Sequence, residues 1–106
     1  RRRKAMSKTK LSPRAISLYN ELLEINWAEP AMTTEVIRNH TGHWSIAATL
    51  EELISAGKVL HGNEDVQGEV LVTYTPKVKG VAYGYPLDYY KNYNEWINNK
   101  LEPQEV

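Results

Sequence analysis

The middle of the chain carries two short helical patterns separated by a glycine, and this arrangement limits the possible folds more than any other feature. The first pattern opens at Thr33 or Thr34, whose hydroxyl can cap a helix. Gly42 follows as a turn residue, because glycine adopts left-handed backbone angles without steric cost. The apolar residues of the second pattern recur along one helix face: Ile46, Leu50, Leu53 and Ile54. This second helix is predicted to have Trp44 at its start and to end at Gly57 after about three turns.

A longer helix precedes these two. Ser12 and Pro13 form a typical helix start, since a serine hydroxyl caps the first turn and proline lacks an N–H that would otherwise go unpaired there. Apolar residues then repeat at helical spacing: Ile16, Tyr19, Leu22, Leu23 and Trp27. The helix is predicted to run to about Asn26 and to form the back of the core. Pro30 breaks the pattern, because the residue before a proline avoids helical angles.

Two segments rich in β-branched residues follow the third helix, at 59–61 and 70–75. Residues 62–68 between them are polar and turn-prone, so the sequence predicts a β-hairpin with a long loop. Residues 77–86 are expected to form an irregular connector.

The order of these elements resembles the winged helix-turn-helix superfamily. The most specific part of the likeness is the end of the third helix, Leu50-x-x-Leu53-x-x-x-Gly57-Lys58-Val59. The resemblance implies an α+β fold, with three helices and a β-hairpin wing over residues 12–76 and an extra C-terminal helix. Residues 1–11 are then a basic, disordered arm, and residues 77–106 are a connector followed by an aromatic helix.

In a helix-turn-helix, the second helix of the motif enters the major groove of duplex DNA. The resemblance therefore implies DNA contacts by residues just after the glycine turn: His43, Trp44, Ser45, Ala48 and Thr49. Phosphate contacts are expected from flanking basic residues: Arg38, His40, Lys58, Lys77 and Lys79. The recognition helix has no arginine or lysine for a bidentate guanine contact, so direct base readout is expected to be weak. We expect sequence-specific or architectural binding of duplex DNA by a small transcriptional regulator.

The predicted hairpin favours a second interpretation. Glu64, Asp65 and Glu69 place three acids in the wing, where they would repel the duplex. Trp44, if exposed, is the kind of residue that anchors a protein interface. The alternative is therefore a winged helix that binds a transcription or replication protein through Trp44, the acidic wing and the tyrosine-rich C-terminal segment.

The C-terminal helix is predicted to begin at Asp88 and is unusually aromatic. Its apolar residues lie on or beside one face: Tyr89, Tyr90, Tyr93, Trp96, Ile97 and Leu101. They either pack back on the first helix and complete the core, or form the interface of a two-fold homodimer, since aromatic residues are enriched in interface cores.

The net charge of zero conceals a basic N-terminus. Six of the first ten residues are cations: Arg1, Arg2, Arg3, Lys4, Lys8 and Lys10. Residues 1–5 are either a native part of the chain or an appended foreign segment. Without them, nine basic residues face thirteen acidic ones, a net charge of −4. A native arm is suited to phosphates and favours the DNA interpretation, whereas a foreign one favours a protein partner.

Several classes of function have no support in the sequence. The chain of 106 residues suits one domain and has no cysteine, so disulfides, thiolate nucleophiles and zinc-finger cysteines are excluded. No apolar run approaches the roughly 18 residues of a membrane span, and we expect a cytoplasmic, nucleoid-associated protein with no membrane partner.

No catalytic or cofactor motif is recognisable either. Glu51 and Glu52 are adjacent on a helix and point about 100° apart, which is expected of a solvated face and not of an acid/base pair. His40 and His43 lack the glutamate of a His-Glu-x-x-His metal site. We therefore expect neither an enzyme nor a bound metal or cofactor.

Overall fold

A computed structural model describes residues 11–30, 32–43, 45–81 and 90–102. These residues form an α+β structure whose helices are α1 (Pro13–Ala28), α2 (Thr34–Thr41), α3 (Ala47–Ser55) and α4 (Tyr93–Ile97). Strands β1 (Val59–Val66) and β2 (Glu69–Pro76) form an antiparallel hairpin between α3 and α4. The α+β prediction is confirmed, and the layout is compatible with a winged-helix-like arrangement. Within the described ranges, no helix has both the length and the apolar character needed to cross a membrane.

Helix α1 is the element on which the rest of the structure packs. It begins as predicted: the Ser12 hydroxyl accepts a hydrogen bond from the Ala15 N–H at 3.1 Å, and Pro13 occupies the first turn. The helix continues two residues beyond the predicted end, to Ala28. Four residues of the predicted stripe are buried: Ile16, Tyr19, Leu22 and Leu23. The fifth, Trp27, is half-buried.

Helix α2 begins and ends at the predicted residues. The Thr33 hydroxyl accepts from the Val36 N–H at 3.2 Å, and Gly42 closes the helix with a left-handed φ of 77°. Helix α3, however, starts at Ala47 and not near Trp44. The Thr41 hydroxyl accepts from the His43 N–H at 3.1 Å, and this local side-chain bond holds the backbone in a turn instead of a helix.

The hairpin is longer than predicted because strand structure extends through the polar segment. Val66 pairs with Glu69, leaving Gln67 and Gly68 as a two-residue turn with φ values of 52° and 86°. Positive φ at both positions is what a type I′ turn requires. The Asp65 carboxylate supports the turn by accepting from the Gly68 N–H at 2.9 Å. The prediction of a loop over residues 62–68 is therefore wrong, since cross-strand pairing outweighs the turn propensity of those residues.

The base of the hairpin is tied to the helices. Tyr74 in β2 donates its N–H to the Met32 carbonyl at 2.8 Å, which pairs β2 with the connection between α1 and α2. Met32 is fully buried, as are Thr73 and Thr75 nearby in β2. The hairpin is thus anchored at its base, and its tip is exposed.

The C-terminal segment packs on α1. The Trp96 side chain is completely buried, and its indole N–H donates to the Leu23 carbonyl at 2.6 Å. The Asn20 amide group pairs with the Leu101 backbone in both directions, donating at 3.0 Å and accepting at 2.7 Å. Helix α4 is only five residues long, with Asn92 as its cap. The predicted start at Asp88 lies outside the described residues.

Candidate nucleic-acid interface

The solvent-exposed face of α3 is small and lacks positive charge. Its exposed residues are Ala47, Ala48, Glu51 and Ser55. Alanine side chains are small, so they would allow close approach to the major groove of DNA and could contact thymine methyl groups. Glu51 would oppose phosphates. This face therefore presents no arginine or lysine that could make a bidentate contact with guanine.

Thr49 does not lie on the exposed face of α3. It is only 4 % exposed, because it lies on the flank of the helix that faces α1. The exposed face of α3 therefore does not include this predicted DNA contact. The helical pattern fixed its angular position, but only the packing of α1 decided that this flank is covered.

His43 and Ser45 are exposed in the connection between α2 and α3, before α3 starts. The His43 imidazole lies 3.7 Å from the Glu21 carboxylate of α1, which forms an ion pair when the histidine is protonated. Both side chains are thus beside the N-terminal end of α3 and remain accessible to a phosphate. Trp44 lies outside the described residues.

The basic residues of α2 are separate from this group. Arg38 is half-buried and lines a shallow groove with Ala47 and Glu51. His40 is exposed at the other side of α2, beside Glu21 and Glu24. The structure therefore does not bring Arg38 and His40 together into one basic surface.

The remaining predicted phosphate contacts meet at the base of the hairpin. The Lys77 N–H donates to the Lys58 carbonyl at 2.8 Å, which places the two residues side by side, and Lys77 and Lys79 are exposed. The acids predicted to repel DNA are also exposed, toward the far end of the hairpin: Glu64, Asp65 and Glu69. The hairpin consequently has a basic base and an acidic tip.

One contact that the sequence did not predict joins α1 to α3. The Glu52 carboxylate accepts two hydrogen bonds from Ser12, at 2.8 Å from the backbone N–H and at 2.9 Å from the hydroxyl. A carboxylate at this position also interacts favourably with the positive end of the α1 dipole. The interpretation of Glu52 as part of a solvated face is wrong, although Glu51 is exposed. No signal in one sequence identifies such a partner forty residues away.

This contact also fixes the root of the basic arm. Leu11 is 5 % exposed and belongs to the core, and Ser12 is held by Glu52 of α3. Ser12, which follows the basic segment in the sequence, therefore lies beside the C-terminal half of α3. No pattern in the sequence placed Ser12 next to α3.

A second feature missed from the sequence is an open groove of about 540 Å³ between α1 and the start of α3. Arg14 and Ser17 of α1 contribute polar side chains to it, and both are exposed positions on the helix. Their spacing in the first turns of an amphipathic helix marks them as surface residues. It does not indicate what they face.

The residues assigned to a dimer interface lie mainly against α1. Tyr90 is half-buried with its ring 5.3 Å from that of Trp96, and Tyr93, 39 % exposed, packs edge-on against Trp27 at 6.0 Å. Ile97 and Leu101 are half-buried. The assignment of Trp96 to an intermolecular surface is wrong, because this chain buries it completely. Tyr89 lies outside the described residues.

The described part of the chain contains no cluster of three or more histidine, aspartate or glutamate side chains that could hold a metal ion. Comparison of the chain with protein-family models, with curated proteins and with solved structures finds no match.

Proposed function

We propose that this chain is a winged helix-turn-helix protein that binds duplex DNA, with α3 facing the duplex and the basic arm supplying much of the phosphate contact. The observation that carries this proposal is the pair of hydrogen bonds between Glu52 and Ser12. They hold Ser12 against α3, and six cations precede Ser12 in the sequence within the first ten residues. An arm rooted next to a recognition helix can reach the neighbouring phosphates or minor groove.

The charge distribution indicates why the arm matters. Outside the first ten residues, the chain has seven lysines and arginines and thirteen acids, a net charge of −6. A domain with this balance is not attracted to DNA by its overall field. The arm adds six cations within ten residues, and each phosphate contact contributes about −0.9 to the salt slope of the binding constant.

The exposed residues of α3 favour DNA binding with little preference for sequence. Ala47 and Ala48 permit close contact with the floor of the major groove of DNA, and Ser55 offers one hydroxyl for a hydrogen bond. Without an arginine or lysine on this face, discrimination between base pairs is small. Backbone-dominated binding of this kind favours the architectural form of the proposal over a stringent operator-binding protein.

The proposal is tested by fluorescence anisotropy of a mixed-sequence duplex, titrated with the full chain at several salt concentrations. Substituting Arg3→Gln and Lys4→Gln together should weaken binding and flatten the salt slope by about two, because two phosphate contacts are lost. The charge-matched control Lys91→Gln with Lys100→Gln alters the C-terminal segment, and its slope should stay unchanged. Absence of binding by the full chain, or equal effects of the two pairs, would contradict the proposal.

A protein partner remains the second candidate because of one observation on the hairpin. Val70 and Val72 are 72 % and 45 % exposed and lie on the same face of β2, next to the acidic tip. Apolar side chains exposed in this way are suited to a protein surface and gain nothing from a polyanion. A full chain that does not bind DNA would make this face the next one to study.

A further inference from the structure

We propose that the groove between α1 and the start of α3 binds a phosphate group carried by a larger molecule. Its lining residues come from the first two turns of α1, the connection after α2 and the first turn of α3. That this phosphate belongs to a nucleic acid rests on the proposed function. That the groove binds a phosphate does not, because it is argued from the residues of the groove alone.

The backbone of α3 supplies donors at one end of the groove. Ile46 occupies the cap position and provides no side-chain hydrogen bond to the helix. The N–H groups of Ala47, Ala48 and Thr49 find no acceptor among the described residues. Free N–H groups at the positive end of a nine-residue helix favour an anion.

Thr49 provides a second and independent observation. Its side chain is 96 % buried, lines the groove, and makes no hydrogen bond with any described residue. Among the described residues, the only fully buried side-chain polar atom without a partner is Asn26 Oδ1, so the Thr49 oxygen itself reaches the open groove. The hydroxyl is therefore positioned to donate a hydrogen bond to an oxygen atom of a ligand in the groove.

The other polar side chains that line the groove can also donate hydrogen bonds to an anion. Arg14 contributes a guanidinium, Ser17 and Ser45 contribute hydroxyls, and His43 contributes an imidazole. The described lining residues include no carboxylate, although Glu21 lies 3.7 Å from His43 at the rim. A guanidinium, several hydroxyls and free backbone N–H groups together match the oxygens of a phosphate.

The volume of the groove indicates that the phosphate is part of a larger ligand. About 540 Å³ is far more than a single phosphate fills, and the groove is open to solvent. A phosphodiester of a nucleic-acid backbone or the phosphate of a small phosphorylated molecule would fit this space. Both sources share the chemistry described above.

The site is tested by titrating the full chain with inorganic phosphate, at constant ionic strength, while following the backbone N–H signals by NMR. We expect saturable shifts at Ala47, Ala48 and Thr49. Arg14→Gln should weaken phosphate binding about tenfold, since it removes a charged donor. Thr49→Val, which keeps the shape of the side chain, should weaken it about threefold to tenfold.

The control is Lys91→Gln, which removes one positive charge at an exposed position of the C-terminal segment and should leave phosphate affinity unchanged. Shifts that do not saturate, or an equal loss with Lys91→Gln and Arg14→Gln, would overturn the site. Should Thr49→Val fail to fold, the exposed Arg14 still provides the test.

Titration with duplex DNA then separates the two sources. If DNA shifts the same N–H signals and Arg14→Gln lowers DNA affinity, the ligand is a backbone phosphodiester. If phosphate binds but DNA leaves these signals unchanged, the site is supported and its ligand is a free phosphorylated molecule. Failure of phosphate to bind overturns the site even if the arm still binds DNA, so the two proposals fail independently.

Discussion

At the scale of single residues, polar side chains hold the core elements together. Glu52 joins α3 to the first turn of α1, and Asn20 pairs with the Leu101 backbone. Tyr19 is 3 % exposed and donates its hydroxyl to the Lys77 carbonyl at 2.9 Å, linking α1 to the chain after β2. Such groups are costly to bury unless they are paired, so each pairing specifies one arrangement of the elements.

Tyr19 makes stability depend on pH in the alkaline range. Burial raises the pKa of Tyr19 to about 12 from its usual 10, with a smaller contribution from Tyr90. The unfolded chain loses this proton near pH 10, whereas the folded chain keeps it. The free energy of unfolding should therefore fall between about pH 10 and 12, by up to about 2 to 3 kcal/mol.

Urea denaturation at pH 9 and at pH 11.5 measures this loss. The control is Tyr19→Phe, which removes the ionisable group and should make the decrease between the two pH values smaller by the same amount. At pH 9 the variant should be less stable by about 1 kcal/mol, because the Lys77 carbonyl loses its donor. An identical pH dependence in both proteins would contradict the assignment.

At the scale of elements, α1 is the support for both ends of the structure. Its N-terminal half faces α3, and its C-terminal half carries the segment that contains α4. Helix α4 is too short to be stable by itself, because helices under about 12 residues are marginal in water. It is held by the buried Trp96 and by the ion pair between Lys100 and Glu24 at 2.6 Å, which raises the pKa of Lys100.

Trp96 should therefore be the residue on which the C-terminal segment depends. Trp96→Phe leaves a cavity and removes the donor to the Leu23 carbonyl, and we expect a loss of about 2 to 4 kcal/mol in the free energy of unfolding. The matched control is Tyr93→Phe, an aromatic change at an exposed position of α4, which should cost less than about 0.5 kcal/mol. Denaturation of the two variants, followed by circular dichroism, gives both values, and equal losses would contradict the role of Trp96.

At the scale of the whole molecule, charge is divided among separate regions. The arm and the residues at the base of the hairpin are basic, whereas the hairpin tip is acidic. Under the proposed function, Glu64 and Glu69 oppose binding through space without contacting the duplex. The strength of such charge–charge repulsion decreases with distance, and salt screens it over about 8 Å at physiological ionic strength.

Neutralising the hairpin tip should therefore strengthen DNA binding. Glu64→Gln with Glu69→Gln is expected to raise affinity about threefold to tenfold at low salt, with the gain disappearing as salt increases. Asp65 is left unchanged because it supports the turn through the Gly68 N–H. The control pair Glu29→Gln with Glu102→Gln removes the same charge elsewhere, and a gain of equal size there would show that only net charge matters. Anisotropy titrations at two salt concentrations measure the effect.

Much of the secondary structure follows from local signals. Ser12, Thr33 and Gly42 set helix ends through their own hydrogen bonds and backbone angles, so the predicted positions hold. The predictions failed where a partner distant in sequence decided the outcome. The polar segment at 62–66 became a strand because β2 pairs with it, and α4 begins at Tyr93, three residues before Trp96, which binds the Leu23 carbonyl of α1.

The helix caps, the glycine turn, the apolar stripes and the concentration of cations in the arm follow from local sequence, because these features depend on residues within one or two turns of one another. Tertiary packing, in contrast, covers Thr49, brings Glu52 to Ser12 and turns Arg14 toward the start of α3. Each of these outcomes depends on how α1 packs against α3. That packing depends on contacts throughout the core, so no local sequence pattern predicts it.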